Sequence, residues 1–171
     1  QWSILLPMAN KIYYLINIGL SDSCYNASGT PNGFPADYML YHKVDMKLNG
    51  GAGKVVERMK VLEQGRFASI GMTACRHANG KDWWVFKLGG DSITFYKHLV
   101  TQDSIYKKGQ DIFPGLPGTT YGALNGQLMF KADGSKLMCV SRLSDRVYQF
   151  DFNRCTGVLN NPTYVNAASD T

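Results

Sequence analysis

The residues best suited to acid–base chemistry gather at one place. His77 follows Arg76 and precedes Asp82 by five positions. A general base needs an orienting partner and a substrate cleft. Here the three residue types flank Asn79-Gly80, a turn pair between two apolar runs, so the spacing favours a histidine that anchors a turn by hydrogen bonding over one that takes a proton from a substrate. The other histidines, in Tyr41-His42-Lys43 and Lys97-His98-Leu99, have no Asp, Glu or Cys at ligand spacing, which argues against a metal. The cysteines Cys24, Cys75, Cys139 and Cys155 form no C-x-x-C and have no neighbouring histidine, which argues against zinc. Their even count allows three full disulfide pairings, and spacing alone leaves disulfides and buried thiols equally open. The G-x-S-x-G nucleophile signature is absent. Leu48-Asn49-Gly50-Gly51-Ala52-Gly53 could cradle a phosphate only if a helix followed. The β-branched Lys54-Val55-Val56 makes it a hairpin turn instead. No catalytic set, cofactor site or metal site is expected.

The elements that position these residues are strands. Asn79-Gly80 reads as a tight hairpin turn with positive φ, closing Thr73–Arg76 onto Trp83–Phe86. A similar unit recurs about 54 residues later, where Asp133-Gly134 separates Gln127–Lys131 from Lys136–Val140. A hairpin repeated at that period signals blades. Successive strand residues alternate faces, so Trp83 and Trp84 point to opposite sides and can each pack on a different neighbour. Burial of one such ring is worth about 2–3 kcal/mol, which accounts for both without a ligand.

The chain then divides into three four-stranded antiparallel blades, roughly residues 1–64, 65–115 and 116–166, in a single all-β partial propeller. Four strands are expected up to Leu62, with an apolar run over Lys11–Gly19. Four more follow at Phe67–Arg76, Asp82–Leu88, Ser92–Val100 and Ser104–Ile112. The third set ends with Arg146–Phe152, which alternates with period two up to Asp151, and with Val158–Val165. Leu20–Ala36 reads as a long loop and Phe113–Tyr121 as a Pro/Gly linker. No amphipathic helix is expected, and Val55–Gln64 is taken as strand for its β-branched start.

Few residues are charged, 18%, while 12% are aromatic. That balance suits strands with polar loops. The net charge of +5 is scattered without a basic run, which excludes a nucleic-acid partner. No run reaches the roughly 18 apolar residues of a membrane span. Gln1-Trp2-Ser3-Ile4 opens directly into strand-like sequence with no leader, so the chain reads as a fragment.

These turns also carry a resemblance. Phe130-Lys131-Ala132-Asp133-Gly134-Ser135-Lys136-Leu137 resembles the repeat turn of TolB- and YVTN-type propellers. Val44–Gly53, Ala74–Trp84 and Phe150–Gly157, with Asp151 and Gly157 in the last, are similar in order to motifs of β-propeller domains in Bacteroidota surface proteins that carry a type IX secretion sorting domain. The resemblance implies export to an oxidising exterior, a cell-surface or secreted location, and hence disulfides, with Cys75 to Cys139 or Cys155 as the expected pair. Asp91-Ser92-Ile93 and Asp103-Ser104-Ile105 match the short O-glycosylation pattern of such exported proteins, at Ser92 and Ser104.

The expected function is a non-catalytic binding or scaffolding segment of a cell-envelope assembly. Its partners would be other protein subunits or the rest of the same polypeptide. One alternative is a propeller hydrolase of the lactonase kind. Another is glycan binding through Tyr25, Phe34 and Tyr121. Three blades do not close a ring, so apolar flanks should face water, expected at the tyrosines and isoleucines of Lys11–Gly19 and the aromatics of Arg146–Phe152.

Overall fold

The computed structural model describes residues 3–28, 36–91, 93–113, 126–140 and 146–166. Ser92, Phe34 and Tyr121 lie outside the described residues, as does most of the Phe113–Tyr121 stretch. Where it is described, the chain is almost entirely antiparallel strand, arranged as an unclosed part of a β-propeller. Strands β1 (Ser3–Pro7), β2 (Ile12–Gly19), β3 (Ala36–Asp45), β4 (Lys54–Arg76), β5 (Trp83–Gly89), β6 (Thr94–Val100) and β7 (Ile105–Ile112) pair in sequence order. A second sheet holds β8 (Leu128–Phe130), β9 (Lys136–Val140), β10 (Arg146–Asn153) and β11 (Val158–Asn166).

Two expected strands are one. β4 runs 23 residues, pairing β3 from Lys54 to Phe67 and β5 from Phe67 to Arg76. Gln64-Gly65-Arg66 offers no turn pair, so the chain passes extended from the outer edge of one blade into the first strand of the next. A seven-residue helix, α1 (Asp22–Ser28), also stands where only loop was expected. Its signal was Ser21, whose Oγ accepts from the Cys24 N–H at 3.1 Å. A serine oxygen bonded to an amide of the first turn is a helix cap. The Ser21 N–H in turn donates to Asp37 Oδ1 at 2.8 Å.

β5 explains how the sheets stack. Trp84, Phe86 and Leu88 enter a core shared with Leu137, Phe150 and Phe152 of the second sheet. Val85, on the other face, enters a core with Leu6, Tyr14, Ile16 and Met39, and Trp83 packs at its edge. A strand buried on both faces needs an unbroken apolar run, which Trp83-Trp84-Val85-Phe86 supplies. Edge-to-face rings lock the first interface. The Phe86 and Phe152 centroids are 5.3 Å apart, and those of Phe95 and Phe150 5.2 Å.

The open flanks are the opposite faces from those expected. Tyr14 and Ile16 of β2 are buried against Met72 and Val85 from later strands of the same sheet, and Tyr148, Phe150 and Phe152 of β10 are buried against the first sheet. Period-two alternation named the apolar face correctly, but that face turns inward, toward the adjoining blade. Water instead meets Leu5 and Val61 on the first sheet, 57% and 56% exposed, and Met129, Val140 and Val165 on the second.

Candidate functional site

Most of the residues singled out by sequence meet at one end of the sheets, where three turns touch. In the first, the Gly80 N–H donates to the His77 carbonyl at 2.9 Å, and the His77 N–H to the Asp82 carbonyl at 2.9 Å. The loop therefore spans four residues around the expected turn pair, and of that pair only Gly80 has positive φ (70°); Asn79 does not. Asn79 works through its side chain. Its Oδ1 accepts from the N–H groups of Lys81 (2.9 Å) and Asp82 (3.1 Å), and its Nδ2 donates to Asp82 Oδ2 at 2.7 Å. An asparagine bonding its own loop's amides builds this turn without a positive φ of its own.

The second turn repeats the first residue for residue. The Gly134 N–H donates to the Lys131 carbonyl at 2.8 Å, Gly134 has φ 71°, and Asp133 Oδ1 takes the place of the Asn79 oxygen, accepting the Ser135 N–H at 2.8 Å. Lys131 and the Ser135 donors hold the Asp133 carboxyl well below the usual carboxylate range. In the third turn Asn153 Oδ1 accepts from Cys155 (2.9 Å) and Thr156 (3.2 Å), and Gly157 has φ 71°. Asp151, just upstream, is bonded to Lys136 at 2.5 Å and Asn161 at 3.0 Å, which lower its pKa.

Arg154 joins all three. Its guanidinium donates to the carbonyls of Arg76 (2.9 Å), Asp133 (3.2 Å) and His77 (3.5 Å). Its own carbonyl accepts from Trp84 Nε1 at 2.8 Å and from the Ala78 N–H at 3.2 Å. His77 completes the clasp. Nδ1 accepts from the Asn79 N–H at 3.0 Å, so the proton sits on Nε2, which donates to the Cys155 carbonyl at 3.1 Å. With both nitrogens bonded to backbone and no bond to the Asp82 carboxylate, this imidazole has no lone pair to offer a substrate. Trp83, facing the other way, donates Nε1 to the Pro7 carbonyl at 3.0 Å.

The cysteines do not bridge; all four are thiols, which corrects the expected Cys75 disulfide. Cys75 sits at the turn end of β4 against Gly134, where an added Cβ would lie 2.6 Å from its Sγ. Cys139 lies opposite Leu128 and Tyr148, further up the same core, and Cys155 is on an exposed turn. Burial pushes the Cys139 thiol up to about 12 and raises that of Cys75. A thiol raised by burial is held in its unreactive, protonated form. Ser104 is exposed in the turn before β7. Tyr25 is exposed on α1.

Two groups prove to be buried in ways the sequence did not foretell. Lys87 is fully buried, with Nζ 2.6 Å from the Ala68 carbonyl, 2.7 Å from Ile70 and 3.2 Å from Leu88. Burial lowers its pKa to about 7, while the carbonyl dipoles aimed at Nζ oppose that shift. The signal was a lysine inside the apolar run Trp83–Leu88. His98, also fully buried, has Nε2 3.5 Å from Glu63 Oε2, and Lys107 lies 3.2 Å from the other Glu63 oxygen. Burial pushes His98 down to about 4 against the pull of Glu63. Sequence spacing could not show this pair, because Glu63 arrives from β4, 35 positions away. His42 Nδ1 accepts the Met59 N–H at 3.4 Å. Among the described residues no three His, Cys, Asp or Glu side chains are grouped to hold a metal.

No family model and no curated protein matches the sequence. Solved structures do. The chain is similar to a provisionally named 6-phosphogluconolactonase from Bacteroides fragilis, 13% identical with a TM-score of 0.53 over 95% of this chain and 54% of that one. It is similar to a protein from Lactobacillus plantarum, 12% identical with a TM-score of 0.50, covering 97% and 56%. It is similar too to a β-1,3-galactosidase of family GH43, 12% identical with a TM-score of 0.50, covering 95% and 34%. These likenesses establish the propeller fold, and the chain spans about half or less of each neighbour's length.

Proposed function

We propose that this chain is a non-catalytic binding and scaffolding segment of an exported, cell-surface or secreted propeller protein. Its open flanks receive further blades of the same polypeptide or another protein subunit. The observation that carries this reading is the pair of apolar outer faces, with Leu5, Val55 and Val61 at one end and Met129, Val140 and Val165 at the other, all exposed. Stripes of this kind mark interaction surfaces. The clasp at the turns agrees with it, since its histidine, arginine and indole groups are bonded to backbone and hold shape. The resemblance of the turn motifs to those of sorted Bacteroidota surface proteins is what suggests the address outside the cell.

The test is dye binding by the folded chain at low concentration. The chain is expected to bind a hydrophobic dye while still melting cooperatively. Val140→Asp with Val165→Asp should cut that binding without lowering the melting temperature. A monomeric chain that binds no dye overturns the reading.

A second reading is a hydrolase, favoured by the names of the lactonase and galactosidase neighbours. It requires acid–base groups at the channel, to be sought by assaying lactone and aryl-glycoside hydrolysis. Turnover abolished by substituting one carboxylate would establish it.

A further inference from the structure

Arg76 is fixed in place by contacts that leave its chelating edge unused. Nη1 donates to the carbonyls of Lys81 (3.1 Å) and Gly80 (3.4 Å), and the guanidinium lies 4.1 Å over the Trp83 ring. Among the described residues no carboxylate lies within ion-pair distance of it, and Nε and Nη2 donate to no group. A guanidinium whose plane is set by stacking while its Nε–Nη2 edge stays open is preorganised for bidentate contact with an oxyanion, because little side-chain entropy is left to lose.

The surroundings match that chemistry. Arg76 lines a cleft of about 410 Å³ with Lys131, Asp133 and Arg154, over apolar atoms of Trp83 and Phe130. Three cations face one carboxylate, and Asp133 is already paired with Lys131 at 2.9 Å. Arg154, held by three carbonyls, adds positive charge that cannot swing away. The cleft opens where β4 meets β8. These are the first strands of successive blades, which flank a propeller's central channel.

We propose that this cleft binds a small ligand carrying an oxyanion, either a carboxylate or a sulfate monoester, through the Nε–Nη2 edge of Arg76. The site is separate from the open flanks, so this inference and the scaffolding reading can fail independently. The test is calorimetric titration of the full chain at constant ionic strength with sodium sulfate, sodium glucuronate and neutral glucose, with Trp83 fluorescence as a second readout. Saturable binding of at least one anion but not of glucose is expected. Sulfate binding would show that an inorganic oxyanion suffices, and glucuronate alone would show that the sugar body is also read. Arg76→Lys keeps the charge but lacks the fork, and should weaken binding at least about tenfold. Arg76→Gln should abolish it, with circular dichroism and melting unchanged to show that the fold persists. Lys108→Gln, on the outer strand β7, should leave it intact. Absence of saturable anion binding, equal binding of glucose, or unaltered binding by folded Arg76→Gln overturns the proposal.

Discussion

Gly157 and Gly80 have almost the same backbone, φ 71° and 70°, in different surroundings, and this pair separates two costs that usually come together. A Cβ on Gly80 meets nothing within 4 Å, whereas one on Gly157 would lie 2.5, 2.6 and 2.7 Å from three atoms of the Trp84 ring. Gly80→Ala therefore costs backbone strain alone, about 1–2 kcal/mol, less the few tenths recovered from a stiffer unfolded chain. Gly157→Ala bears the same strain and must also move an indole that is 3% exposed and bonded to the Arg154 carbonyl at 2.8 Å. Overpacking of that kind adds about 1–3 kcal/mol, and loss of the hydrogen bond about 1 more. Gly157→Ala should thus be the more destabilising by at least about 2 kcal/mol. The assay is urea unfolding of both variants at equal slope. Trp84→Phe, which withdraws the ring atoms nearest the new methyl, should make the double variant less damaged than the sum of the singles. Equal losses for the two alanine variants would refute the close-approach argument and leave only the turn strain.

Two further outcomes follow from the buried ionisable groups. Lys87→Met should lower the stability by about 1–3 kcal/mol above the unfolded lysine pKa, where burial of the charge no longer counts against the parent and the Ala68 and Ile70 carbonyls lose their donor. Because the folded pKa of Lys87 is depressed to about 7, the parent should gain stability as pH rises from there toward the unfolded value, and the methionine variant should not. A variant as stable as the parent would show that the cage contributes nothing. For His98 the folded pKa of about 4 lies below the unfolded 6.5, so its contribution is intact above the unfolded value and lost as pH falls toward the folded one. The loss should approach about 3 kcal/mol, and should flatten in His98→Leu. Unfolding midpoints at neutral pH and just above the folded His98 value are compared with those of His98→Leu, because the losses from Asp133 and Asp151 begin near their unfolded value of 3.8 and are common to both proteins.

The parts of this fold legible in sequence are those set by local rules. The repeat of the hairpin turn, the alternation of Trp83 and Trp84 and the strand character of Val55–Gln64 all depend on neighbours in the chain. What sequence missed depends on contacts between distant segments. Nothing local distinguishes a 23-residue strand from two shorter ones, because β4 changes partner at Phe67 with no turn pair to mark the change. The period-two pattern identified the apolar face of β10 but could not say whether a blade covers it. The thiols follow the same logic, since Cys75 is placed by its fit against Gly134 and not by a partner cysteine. The Ser21 cap was a local signal for α1 and could have been read.

The division of labour between apolar and polar contacts explains why the turns are so demanding of residue type. Stacked sheets with apolar faces gain free energy in proportion to buried area, and that gain is nearly indifferent to small slides of one blade over the next. Hydrogen bonds are directional and fail when displaced by about an ångström. Arg154 places three donors and one carbonyl across the junction, and His77 adds a fourth donor from the opposite side. Each acceptor is backbone, so any slide between the second and third blades breaks several bonds together. The glycines at 134 and 157 let that network form, because Cys75 and Trp84 occupy the space where their side chains would be. The aromatic core therefore supplies most of the attraction, and the clasp selects which of many similar packings is the native one. On this account, variants of Arg154 should alter the uniqueness of the interface, seen in the dispersion of Trp84 and Phe152 resonances, more than they alter the area it buries.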